Sequence, residues 1–193
     1  MHDLIWLKAT QETIHAYRRM IDGAIHQLTD DELWIRPTPE TNSVAIILRH
    51  LGGNLRSRWT DFLTTDGEKP DRDRDREFCD WQGDRVSLMS WFNDGWKALE
   101  TAIDSIDDNN INQTIFVRGE PHTIPQAILR SLTHLSYHVG QILLIARTVH
   151  EGPWTWLSIA PGQSTQHNHA NWGKGTNRAI MGIENVDPGT NPK

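Results

Sequence analysis

Two histidines four residues apart, His134 and His138, stand in an apolar stretch with helical periodicity. On an α-helix such a step turns about 40° around the axis, so both imidazoles can reach one point beside the helix. Neutral imidazole is a metal ligand, and this clip needs a third ligand from another element. His50 is the candidate, because it lies on the inner flank of a second apolar stretch of helical spacing. Three imidazoles with one position open form a common catalytic metal geometry. No acidic residue occurs from Pro121 to His150 or from Ser43 to Thr60. The pattern thus differs from His-Glu-x-x-His, in which a helix glutamate serves as base. It predicts a cation whose charge no nearby carboxylate offsets, acting as a Lewis acid on a water or thiol.

The elements that must position these residues can be traced along the chain. Leu4, Leu7, Ile14, Tyr17, Ile21 and Leu28 give a first amphipathic helix over residues 3–28. Asn42 or Ser43 caps a second, running to about Thr64 and carrying His50. Its Gly52-Gly53 pair lowers helix stability by about 1 kcal/mol per glycine, which points to close approach by another backbone or a ligand, with helix packing the preferred reading. Thr65 to Gly83 is a polar connection containing Asp71 to Glu77, a run of alternating charge expected to be solvated and self-paired. Extended, it can span roughly 60 Å, twice the length of a helix of about 30 Å, so the helices it joins can be parallel neighbours. Asp84 caps a third helix with Leu88, Phe92, Trp96, Leu99, Ile103 and Ile106 on one stripe. Thr114 to Thr123 can form a short hairpin, and Thr123 with Gln126 makes a capping box for the helix that holds His134 and His138. Glu151-Gly152-Pro153 stops that helix.

Beyond it periodicity disappears. The organisation expected is a helical domain over residues 1–153 and an irregular extension over 154–193, pinned at its start by Trp154, Trp156, Leu157 and Ile159, with a mobile tail from Ile183.

Composition limits the function classes. A chain of 193 residues, 37% hydrophobic and 23% charged, has room for one domain with a sizeable core. A net charge of −6 without a basic cluster argues against nucleic acid as partner. No apolar run has the length of a membrane span, the start lacks a signal peptide, and the one cysteine, Cys79, excludes an internal disulfide. A cytoplasmic protein acting on a small molecule is the expectation. Asn54 and Gln141, each about one turn from a proposed ligand, can orient its ring or be ordinary helix polar residues. His122 can face the site or simply sit in a turn, and His167 with His169 reads as a surface pair. Cys79 has no nearby histidine in sequence to activate it. Arg56 and Arg58 can meet an anionic substrate or pair with Asp61.

Five stretches together resemble the DinB-like, or YfiT-like, superfamily of four-helix bundles, and a branch of it without an assigned function. They are residues 43–54 (SVAIILRHLGGN), 56–70 (RSRWTDFLTTDGEKP), 118–123 (RGEPHT), 134–142 (HLSYHVGQI) and 157–164 (LSIAPGQS). The resemblance implies an all-α, up-down-down-up bundle, with a long crossover between its second and third helices. It also implies homodimerisation and a divalent metal held by His50, His134 and His138. Zinc, nickel and iron all suit such a site. Members of the superfamily include transferases that use low-molecular-weight thiols, so a thiol cosubstrate is implied alongside hydrolysis. A non-catalytic dimeric bundle with a structural or vestigial metal site is the alternative, and a fourth protein ligand would favour it.

Overall fold

The computed structural model describes residues 5–81 and 83–172, which form a mainly helical molecule. Helix α1 (Ile5–His26) buries Leu7, Ile14, Ile21, Ala24 and Ile25 along one face. Helix α2 (Asp30–Trp34) is short and opens on a capping box in which Thr29 and Glu32 satisfy each other's backbone N–H groups. Sequence periodicity did not suggest α2, because one and a half turns are too few to display a period.

Helix α3 (Val44–Trp59) starts on Ser43, whose side chain accepts from the Ile46 N–H. It ends earlier than the expected Thr64: Asp61 adopts φ 48° and turns the chain away. Helix α4 (Arg85–Asp104) is capped by Asp84 and buries Leu88, Phe92, Trp96, Leu99 and Ile103. Strands β1 (Thr114–Val117) and β2 (Glu120–Thr123) pair antiparallel, Thr114 opposite Thr123. Their two-residue turn places Arg118 and Gly119 at φ 58° and 74°, the left-handed geometry that matches strand twist. Arginine is disfavoured there, and Asp66 offsets the cost by accepting from both N–H groups at 2.8 and 2.7 Å. The hairpin leads into α5 (Ile124–Val149) through the Thr123–Gln126 capping box.

The closest helix pairings are α3 with α4 and α1 with α5. Gly52 and Gly95 make the first possible, since a β-carbon on Gly95 would collide with the Gly52 carbonyl. After α5 the chain folds back: Leu157 is buried against Gly23, and Thr155 exchanges hydrogen bonds with Gln27. The stretch read as irregular contains one further helix, α6 (Ser164–Asn171), which buries no residue and so has no apolar stripe to betray it. The mobile tail expected from Ile183 lies outside the described residues.

Candidate metal centre

Helix α5 projects His134 and His138 from adjacent turns toward α3, and α3 supplies His50 from the opposing face. His50 and His138 are 3% and 5% exposed, while His134 is half-buried. The three offer ligand atoms that all lie within 4.8 Å of one another. Nε2 of His134 stands 3.1 Å from Nε2 of His50 and 3.2 Å from Nε2 of His138. Two nitrogens of a tetrahedral zinc site, each about 2.0 Å from the ion, lie about 3.3 Å apart, so these two separations match such a site.

The outer nitrogens explain why the inner ones converge. Nδ1 of His50 donates to Glu77 Oε2 at 2.8 Å, and Nδ1 of His138 donates to Gln141 Oε1 at 2.9 Å. A carboxylate only accepts, so the His50 proton sits on Nδ1 and its Nε2 keeps a lone pair directed at the cluster. Gln141 does the same for His138. Such outer partners fix tautomer and orientation in metal sites. Nδ1 of His134 is buried without a hydrogen-bond partner. Phe78 packs on the His50 ring at 4.6 Å and Tyr137 edge-on against His138 at 4.7 Å.

Burial keeps the His134 and His138 imidazoles neutral. Burial, then the charges His138 and His50 would carry, push His134 down to about 3. Burial, then His50, pushes His138 down to about 4, partly offset by Gln141. Neutral rings are the form that binds a cation.

Glu77 corrects the expectation of a site without a nearby carboxylate. It comes from neither ligand helix but from a 3₁₀ turn, Asp75–Phe78, inside the charged connection. Burial raises its carboxyl, yet hydrogen bonds from His50 and Arg72 and the Arg72 charge outweigh that and hold it below the ordinary glutamate value. Arg72 grips both Glu77 oxygens at 2.9 Å, and the two side chains are each 5% exposed. Glu68 lies 3.6 Å from Arg72 and bonds Arg58 and Arg118, extending the chain of charge to the hairpin. Asp71 to Glu77 is therefore only partly solvated. A negative partner on His50 makes that ring a more basic ligand and tempers the uncompensated charge expected at the cluster.

Gly53 is part of the same construction. A β-carbon there would collide with the Glu77 carboxylate, so of the glycine pair Gly52 serves helix packing and Gly53 admits Glu77. The other residues weighed from sequence lie apart from the cluster. His122 lies on strand β2 rather than in the turn; its Nδ1 donates to the Glu120 carbonyl and its Nε2 accepts from Arg130. His167 and His169 are on α6, and Cys79 is exposed. Arg58 pairs with Glu68 rather than Asp61, and Arg56 stacks on Trp91.

Residues 3–163 match the family described as "Protein of unknown function (DUF1572)". The chain belongs to this family. The matched region contains the three histidines, Glu77, Arg72 and Gln141, and it runs past the expected boundary at residue 153. No curated protein matches the chain. Among the described residues no helix is long and apolar enough to cross a membrane.

Proposed function

We propose that this chain is a metal-dependent enzyme of the DinB-like superfamily. It would hold one divalent cation at His50, His134 and His138 and act on a small molecule as a transferase or hydrolase. The observation that carries this reading is the convergence of three Nε2 atoms whose outer nitrogens, on His50 and His138, are anchored by Glu77 and Gln141. Zinc, nickel and iron each suit the donor set. A cation held there supplies Lewis acidity, which acidifies a water or a low-molecular-weight thiol brought against it.

The residues do the rest. Glu77 orients the His50 ring, Arg72 keeps Glu77 charged and immobile, and burial keeps His134 and His138 from accumulating as cations. His122 is engaged elsewhere, so the fourth position is left for substrate, which favours catalysis over a closed structural site.

An up-down-down-up bundle of α1, α3, α4 and α5, with the helical domain over 1–153 and an appended segment over 154–193, is the frame proposed. Contact order supports it. Gln11 meets Asp104 and Arg18 meets Asn93, as antiparallel α1 and α4 require. Arg49 meets Trp91 and Gly52 meets Gly95, as parallel α3 and α4 require. Trp59 meets Ser131 while His50 meets His138, so α3 opposes α5. Homodimerisation is proposed through the outer face of α5, where Leu129, Tyr137 and Leu144 are 62%, 60% and 69% exposed. Light scattering should give twice 22.1 kDa, and a monomer at micromolar concentration would refute it. We place the protein in the cytoplasm.

The functional test is a screen of electrophiles against water and several small thiols, before and after chelation. Turnover should stop on metal removal and return with the metal. Turnover by fully metal-free protein would overturn the reading.

A further inference from the structure

A cleft of roughly 600 Å³ in the described residues has no histidine in its wall. Gly53 and Glu77 are in its wall, and its volume is in the size range of small-molecule pockets. Its walls carry Arg49, Arg56, Lys69, Arg72 and Arg76 against Asp71, Asp73 and Glu77, a local cationic excess in a chain of net charge −6. The acids do not consume all the cations. Glu77 is taken by Arg72, and Asp73 faces Arg76. Among the described residues Arg49 and Arg56 pair with no carboxylate.

These two arginines are seven residues apart on α3, with Gly53 between them, so they share one face of the helix. Each guanidinium lies over a tryptophan of the cleft wall: Arg49 is 5.5 Å from the centroid of Trp81 and Arg56 5.4 Å from that of Trp91. A cation over an indole ring is attracted to its face and still has N–H groups with which to fork an oxyanion. Arg49 spends one such group on the Cys79 carbonyl. Arg72 in the same wall is already committed: it holds both Glu77 oxygens, and its Nη1 is buried with Glu68 at 3.6 Å.

We infer that this cleft binds a small organic anion, its carboxylate or phosphate group held by Arg49 and Arg56. The inference stands on the cleft alone and does not require a metal at the histidines.

Isothermal titration of the full, chelator-treated chain at low salt tests this, with inorganic phosphate, phenyl phosphate, benzoate and neutral benzamide as probes. At least one organic anion should bind saturably, one per chain, while benzamide does not. The better of phenyl phosphate and benzoate identifies the oxyanion recognised. Arg56→Gln, at an exposed position that tolerates change, should weaken binding about tenfold or more, and Arg49→Ala with Arg56→Ala should abolish it. His134→Ala should leave affinity unchanged, which separates this site from the metal reading. Three results would each overturn the assignment: no saturable binding by any anion, undiminished affinity in folded Arg56→Gln, or loss of binding in His134→Ala.

Discussion

Two polar segments flank the ligand helices, and they are built differently. Residues 60–84 join α3 to α4 and send Glu77 and Arg72 into the interior, where they form a buried ion pair behind His50. Residues 150–172 follow α5 and stay peripheral: Leu157 plugs against Gly23, and Glu151 and His150 attach to Glu32. Both are rich in polar residues, yet only one shapes the site. A charged segment is drawn inward when a neighbouring helix offers space and an unpaired donor, here Gly53 and Nδ1 of His50. Without them it is held at the edge by whatever apolar residue it carries.

The comparison breaks most readily at Glu77. Glu77→Ala leaves Arg72 buried without its partner and should cost about 3–5 kcal/mol in chemical denaturation. It should also weaken metal binding about 10–100-fold, because His50 loses its outer anchor. Leu157→Ala in the other segment should cost about 2–3 kcal/mol, as for a leucine that is largely buried, and leave metal affinity unchanged. If both variants shifted metal affinity alike, the distinction between the segments would be lost. Gly53→Ala sharpens it further: its β-carbon meets the Glu77 carboxylate, so metal affinity should fall, with a stability cost of about 1–3 kcal/mol.

Acid separates the two regions as well. In the metal-free protein His134 and His138 are held at about 3 and about 4, against 6.5 when unperturbed. The unfolded chain therefore takes up more protons between those values, and stability should decline as pH falls from 6.5 toward 4. Glu32 behaves in the opposite region of the titration. Backbone N–H groups of Thr29 and Glu151, then His150, hold its carboxyl at about 2 against 4.5. Its contribution is complete above 4.5 and lost as pH falls toward 2. Glu32→Gln should thus be less stable than wild type at neutral pH and equal to it near pH 2. Thermal melts of both proteins across this range check the smallest of these effects.

Much of the frame was legible because it rests on local rules. Ser43, Asp84 and the Thr123–Gln126 pair cap the helices they were expected to cap, and Thr114 to Thr123 forms the hairpin. His50, His134 and His138 come together as apolar periodicity placed them, and Gln141 holds His138. Glu77 was hidden for a physical reason. Alternating charge has no burial period, so nothing within Asp71 to Glu77 separates the two residues that turn inward from the five that do not. The signal lay in Gly53, whose missing side chain makes room for a group from elsewhere. Helix α2 had a readable start in Thr29-Asp-Asp-Glu32, but its single buried apolar residue, Leu33, made no stripe.

The most direct test of the central claim is elemental analysis of the purified chain grown with added zinc, nickel and iron, beside the His134→Ala, His138→Ala double variant. Up to one divalent metal per wild-type chain and almost none in the double variant are expected, with circular dichroism showing that both are folded. Metal content undiminished in the double variant would contradict it.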